Sequence, residues 1–508
     1  MMSVNGKRVA KNTMMLYIRM LLIMAVSLYT SRIVLKVLGV EDFGIYNIVA
    51  GIVVLFSFLN SAMSSATQRF LSFELGRGDI NEVRRVFSMS MTAHISIALL
   101  ILLFAETVGL WFLNTQINIP VDRVGAANWV YQFSILTFCI QIIRVPYNAS
   151  IIAYERMTFY AYISIIEVVL KLLIVFLLVY FDFDKLKIYS VLIFLITLVI
   201  CLSFKYFCCK TFPICRYNFF WNASLYKKIM SFSGWSLFGS VANVGSQQGM
   251  NILLNIFYGV SINAAMGIAN QVSQAVYNFV SNFQIAFNPQ IIKSYASNNK
   301  DEFIKLIFQT SRFSYFLLLF ISLPVLINTK FILQVWLTNI PVYTVVFCRL
   351  IIISLLIDAI AAPLWISVQA TGQIRNYQIL ISFIILSNLP LLYFALKLGY
   401  SPESGLVIRV LVNIITLIVR IIYLKTKIGL PVFKYFYEVI FILIVVSVCS
   451  FPLPFYVSLC LSSWNGLILS ILVGILSSSF FIYFIGLQKN EKYTIKRIVL
   501  KKINKLKK

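Results

Sequence analysis

Acidic residues are scarce in this chain and histidine is almost missing. Seventeen Asp and Glu stand against 43 Lys and Arg in 508 residues, and His94 is the lone histidine. One histidine leaves no material for a multi-histidine metal site, and none for a Ser-His-Asp set away from His94. The eight cysteines, Cys139, Cys201, Cys208, Cys209, Cys215, Cys348, Cys449 and Cys460, show no CxxC and no paired spacing. They read as small apolar core residues, and no metal or other cofactor is expected. A GxxxxGK[ST] run is absent, which excludes a P-loop nucleotide site. Long hydrophilic stretches are missing too: no loop between apolar runs exceeds roughly twenty residues, and long loops are where a catalytic site would be built. This argues against a membrane-embedded glycosyltransferase or polymerase, whose carboxylates would need such a loop. The first apolar run is too long for a signal-peptide h-region, so no cleavable leader is expected.

Apolar residues fill what remains. The chain is 60% hydrophobic and only 12% charged, with a mean hydropathy of +0.90, whereas soluble domains sit near half apolar and a quarter charged. This composition predicts an all-α polytopic membrane protein. A spanning helix needs about 20 apolar residues. Fourteen runs qualify as candidates, near 13–38, 44–66, 87–113, 125–153, 157–181, 187–208, 229–257, 263–289, 309–329, 343–368, 374–397, 403–424, 436–457 and 464–488. The net charge of +26 lies mostly in alternate short loops and in a tail with nine Lys and Arg among its last twenty residues. No soluble basic domain exists to engage nucleic acid. The positive-inside rule instead places both termini in the cytoplasm, with the basic tail facing anionic lipid.

The chain also repeats itself. Shifted by 220 residues without a gap, Gly39-Val40 falls on Gly259-Val260, Ile48 on Ile268, Ser61 on Ser281, Ala66 on Ala286 and Glu82 on Glu302. Leu99, Ile101 and Leu103 fall on Leu319, Ile321 and Leu323. The shared layout is helix, Gly-Val corner, helix, basic amphipathic loop. It predicts two six-helix bundles of parallel topology, over 1–210 and 211–430, followed by two additional helices over 431–488 and the basic tail 489–508.

Charge inside the predicted spans is unbalanced. Arg19, Arg32, Arg144, Lys171, Arg349, Arg409 and Arg420 face only Glu106, Glu167 and Asp358. Arg19, Arg409 and Arg420 lie near span ends, where snorkelling is the plain reading. Lys171 follows Glu167 at i+4 and can pair with it on one helix face. Arg32, Arg144 and Arg349 have no acid on their own helix turn. Either they salt-bridge to another helix, or they line a net-positive aqueous cavity that receives an anion. Arginine forks match phosphate oxygens in shape as well as charge, so these three are the candidate diphosphate contacts. Pro146, two residues after Arg144, frees a backbone carbonyl and predicts a kink. The seventh and eighth spans carry amide stripes, Gln247, Asn251 and Asn255, then Asn270, Gln274 and Asn278. Such stripes must face protein or water. They read either as interhelical hydrogen bonding or as contacts to sugar hydroxyls. Asp358 and Glu167, the latter with Lys171, are the groups placed to carry a coupling proton.

The stretch SLYTSRIVLKVLGVEDFGIYN (27–47) places Ser31, Arg32, Leu38, Gly39, Phe43, Gly44 and Tyr46 in a pattern that resembles the start of exporters of the MOP (multidrug/oligosaccharidyl-lipid/polysaccharide) superfamily. RVPYNASIIAYERMTFYA, from Arg144 onward, resembles the fourth-to-fifth helix junction of Wzx-type O-antigen flippases. The resemblance implies about fourteen helices in a V-shaped pair of six-helix bundles plus two. It implies alternating access and the flipping of undecaprenyl-diphosphate-linked oligosaccharide, for O-antigen or for capsular or exopolysaccharide, with a polymerase or glycosyltransferases as neighbours. Related lipid II flippases carry an arginine at the place of Arg32 and a second cation just past Leu-Gly, where this chain has Glu41-Asp42. The competing expectation from the same superfamily is a cation-coupled multidrug exporter. Its substrates prefer acids and aromatics, and deep acids are few here.

Overall fold

A computed structural model describes residues 4–54, 57–116, 119–178, 183–337, 340–460, 464–489, 491–493 and 496. These residues are helical almost throughout, and no strand occurs among them. The helices are α1 (Val4–Val54), α2 (Ser57–Arg77), α3 (Ile80–Thr115), α4 (Val124–Ala153), α5 (Met157–Leu177), α6 (Lys185–Thr211), α7 (Ala223–Tyr258), α8 (Val260–Ala296), α9 (Lys300–Ile327), the short α10 (Thr329–Trp336), α11 (Thr344–Thr371), α12 (Arg375–Lys397), α13 (Ser404–Ile428), α14 (Val432–Cys460) and α15 (Trp464–Gly486). Among the described residues, ten helices are long and apolar enough to cross a membrane, which makes this a multi-pass membrane protein. Helices α7 and α8 are not among the ten. At 36 and 37 residues they are long enough, but their amides and small residues lower the hydropathy.

Two compact units divide the chain. One is Lys11–Ser240; the other takes in the chain from Val241 onward together with the residues up to Ala10. The boundary lies inside α7 because the first half of that helix packs within the first unit, where Phe232 meets Phe70 of α2 edge-on at 5.8 Å. The second half bonds within the second unit, where Ser246 donates to Ile385 O.

Within each unit one helix is central. In the first, α4 is flanked by α2, α3 and α6; in the second, α11 is flanked by α8, α9 and α13. The two central helices begin 220 residues apart, at Val124 and Thr344. Each runs through an internal proline, and the hydroxyl four residues on bonds back to that proline's carbonyl: Ser150 to Pro146 at 2.9 Å, Ser367 to Pro363 at 2.8 Å. The repeat read in the sequence has further backbone counterparts. Gly39 (φ 80, ψ 170) and Gly259 (φ 77, ψ −171) turn the chain through the same conformation, one that essentially only glycine adopts. Asp79 caps α3 by accepting from Glu82 N, and Asn299 caps α9 by accepting from Glu302 N. These reproduce half of a capping box, and the residue ahead of each cap, Gly78 or Asn298, has positive φ.

The first unit's core joins α1, α3, α4 and α6 through Val34, Leu38, Ala98, Ile101, Ile135 and Leu186. In the second, Met250, Leu254, Met266, Phe347, Ile351 and Leu392 gather α7, α8, α11 and α12. The start of the basic tail is pinned to the second unit. Arg312, 1% exposed, donates to Glu491 at 2.8 Å, and Gln309 donates to the same oxygen at 3.2 Å.

Candidate functional site

Arg144 sits on the central helix of the first unit, two residues before Pro146. Its acid comes from the neighbouring helix. Nη1 donates to Glu167 Oε2 of α5 at 3.0 Å, and Lys171 Nζ donates to the other carboxylate oxygen at 2.8 Å. The i+4 spacing of Glu167 and Lys171 places both on one face of α5, as the sequence predicts. Phe204 of α6 lies under the guanidinium, 5.4 Å from Arg144 Cζ to the ring centroid. All three charged groups are partly exposed. Two cations share one carboxylate, so the cluster keeps a net charge of +1.

The other side of Arg144 borders a cavity of about 260 Å³ between α2 and α4, lined by Asn60, Ser61, Ser64, Gln141, Arg144, Val145 and Asn148. Spacings of three and four residues, Asn60 to Ser64 and Gln141 to Arg144 to Asn148, put each set on one helix face. Asn60 Oδ1 and Asn148 Oδ1 are buried without a hydrogen-bond partner among the described residues, a state that costs about 1–3 kcal/mol per group.

The second unit holds a polar cluster of another kind. Asp358 on α11 accepts from Asn413 Nδ2 of α13 at 3.1 Å, and the same nitrogen donates to Ser354 Oγ at 2.9 Å. Arg409 stands one turn before Asn413 on α13, and Arg420 two turns after it, where it approaches α11. Neither makes a contact ion pair with Asp358 among the described residues. Arg420 Nη1 instead reaches Ala361 O at 3.5 Å.

The remaining sequence candidates separate. Arg32 lies on α1, but its side chain is outside the described residues. Arg349 is exposed, on the second turn of α11, and Nε donates to Leu326 O at 3.2 Å. There it satisfies a carbonyl of the last turn of α9, a favourable place for a cation. The amide stripes bond in part to each other: Gln247 to Asn270 at 3.4 Å joins α7 to α8 and Gln274 donates to Asn278 at 2.9 Å, while Asn251 donates to Gln248, off the stripe, at 3.2 Å. Glu106 accepts from Gln132 at 2.9 Å. It stands in a π-helical turn, Ala105–Gly109, where Tyr131 Oη bonds Ala105 O at 2.8 Å. His94 Nδ1 contacts Ser90 O at 2.7 Å in the core of α3.

One cluster escaped the sequence reading. Arg123, ahead of α4, grips Asp42 through Nε at 2.9 Å and through Nη2, and reaches Asp184 Oδ2 at 3.1 Å. Asp184 also caps α6 by accepting from Leu186 N and Lys187 N. Asp42 thus fastens the corner beyond Gly39 to the starts of α4 and α6. The partners lie 81 and 61 residues apart, beyond any periodicity signal.

No family model matches the sequence. Over 158 residues the chain is 24% identical to a protein of Bacillus subtilis (strain 168) named uncharacterized membrane protein EpsK; the match spans 31% of this chain and 31% of that protein's length. Among solved structures it is similar to MATE in the straight conformation, with a TM-score of 0.73 and 12% identity over 84% of this chain and 97% of the other. It is similar to an outward-facing multidrug resistance MATE family transporter of the MOP superfamily, with a TM-score of 0.68 and 12% identity over 84% and 99%. A third is a MOP superfamily transporter from Pyrococcus furiosus, whose reverse polarity of the binding pocket suggests a different function; the TM-score is 0.67 with 11% identity over 84% and 99%. At these identities the likeness is one of architecture: the chain has the fold of the MATE transporters of the MOP superfamily.

Proposed function

We propose that this protein is a flippase that moves undecaprenyl-diphosphate-linked oligosaccharide units from the cytoplasmic to the periplasmic leaflet by alternating access, for O-antigen, capsular or exopolysaccharide synthesis. The observation that carries the reading is a ratio. Each deep acid that neighbours a cation, Glu167 or Asp358, is outnumbered two to one, by Arg144 and Lys171 or by Arg409 and Arg420. A surplus of that sign around each acid attracts anions and repels cationic drugs. Arg144 supplies the phosphate contact with the firmest geometric support; Arg32 and Arg349 remain candidates from sequence. Asp358, held by a neutral amide, is better placed than the doubly paired Glu167 to exchange a coupling proton. The inner membrane, cytoplasmic termini, anionic lipid around the tail and the neighbouring synthesis enzymes belong to the same proposal. It assigns no enzymatic step to the chain.

The second reading, a cation-coupled multidrug exporter, is favoured by the name of the outward-facing structural relative. One experiment separates the two. Purified protein in liposomes is given either a fluorescent polyprenyl-diphosphate oligosaccharide or a cationic dye. The proposal expects the lipid to cross faster than in protein-free liposomes, Arg144→Gln to slow it at least tenfold, and the dye to stay. Dye transport without lipid transport establishes the exporter instead.

A further inference from the structure

The cavity beside Arg144 asks for a particular chemistry. Six of its seven lining residues are polar, and Val145 is the apolar exception. An aromatic cation finds neither a ring nor an uncompensated acid there. At about 260 Å³ it falls just below the roughly 300 Å³ at which drug-sized sites begin, so it suits one ring with one charged substituent rather than an oligosaccharide. Asn60 and Asn148, both half-buried, line it together with Ser61, Ser64 and Gln141. A hydroxyl both donates and accepts, so it satisfies either orientation of these amides.

The charge is arranged to match. Nη1 of Arg144 is taken by Glu167, while its other N–H groups have no hydrogen-bond partner among the described residues. Lys171, which is not part of the cavity wall, neutralises the second oxygen of Glu167. Lys171 therefore leaves the charge of Arg144 available to the cavity.

We propose that the α2–α4 cavity is a subsite for a sugar phosphate, with the phosphate on Arg144, the hydroxyls on Asn60 and Asn148, and Lys171 as a positioning residue that keeps Glu167 from cancelling Arg144. This rests on the reading of the cargo as an anionic saccharide, and names the part of it that this site reads.

Calorimetric titration of the full-length protein in nanodiscs tests it, with glucose 1-phosphate, N-acetylglucosamine 1-phosphate, inorganic phosphate and glucose as probes. The expected result is that at least one sugar phosphate binds tenfold or more tightly than phosphate or glucose alone. Asn148→Leu should bring the sugar phosphate down to the level of phosphate without changing phosphate itself. Asn148→Asp, nearly isosteric, serves if the leucine variant is not monodisperse, and should weaken the sugar phosphate more than tenfold. Arg144→Gln should abolish binding of every phosphate-bearing probe. Lys171→Met should weaken phosphate about fivefold, and Glu167→Gln added to it should restore the affinity, an outcome that a merely structural role for Lys171 does not give. Sugar phosphates binding no better than phosphate overturn the subsite but leave an anionic cargo standing. Phosphate binding unaffected by Arg144→Gln overturns the subsite as well. Cationic dye transport in the liposome assay overturns the cargo reading itself.

Discussion

The two units solve one problem in two ways. Each keeps a carboxylate among helices with two basic groups nearby. In the first, Glu167 touches both of its cations, at 3.0 and 2.8 Å. In the second, Asp358 touches neither and is held by Asn413 at 3.1 Å. A contact pair spends the charge of the acid on specific cations. An amide-held acid keeps its field for whatever approaches. The first arrangement suits a fixed receiving site. The second suits a group whose charge changes during a cycle.

That contrast can be tested by deletion, apart from the transport loss expected for Arg144→Gln. Glu167→Ala leaves two cations facing each other with no acid between them. For a partly exposed pair the destabilisation should be about 2 kcal/mol, below the 3–5 kcal/mol of a fully buried one. The melting temperature in detergent should fall by several degrees, and an unchanged value would dissolve the idea that the first cluster is bound by contact. Asn413→Leu should cost about 1–2 kcal/mol by removing the amide donor to Asp358. Asp358→Asn added to it should recover most of that loss, whereas no recovery would mean that Asn413 matters through Ser354 alone. Gly39→Ala and Gly259→Ala meet no atom within 4 Å, so their cost is backbone strain, about 1–2 kcal/mol each. The two melting shifts should be equal, and unequal shifts would separate the two corners energetically. Smallest are Asp79→Ala and Asn299→Ala, about 1 kcal/mol apiece for a lost helix cap, measured in the same way.

Much of the fold was legible because it depends on local rules. Apolar length marks the spans, and Gly39 and Gly259 mark corners no other residue makes. Glu82 on Glu302 marks the repeat, though not that helices begin at Ile80 and Lys300, and Glu167 with Lys171 spells its own pair. The site was less legible because its partners come from different helices. Sequence periodicity shows which face a residue shares, not which helix that face meets. Arg144 was visible as a deep cation, but its acid on α5 was not. The cavity left a readable trace in the three- and four-residue spacing of Asn60, Ser61 and Ser64 and of Gln141, Arg144 and Asn148. Neither stripe alone says that they face each other. Arg349 reads as a deep cation on paper, yet its nearest partner is a carbonyl at the end of α9.

The grip of Arg123 on Asp42 and Asp184 has a mechanical consequence. Asp42 follows Gly39 by three residues, so α1 is anchored just beyond its one non-helical joint. Any swing of the leading leg of α1 must then be taken up at Gly39, while the trailing leg moves together with the starts of α4 and α6. The clamp turns a soft corner into a pivot with a fixed axle, and loosening it would let bending spread along the helix instead of concentrating at one residue.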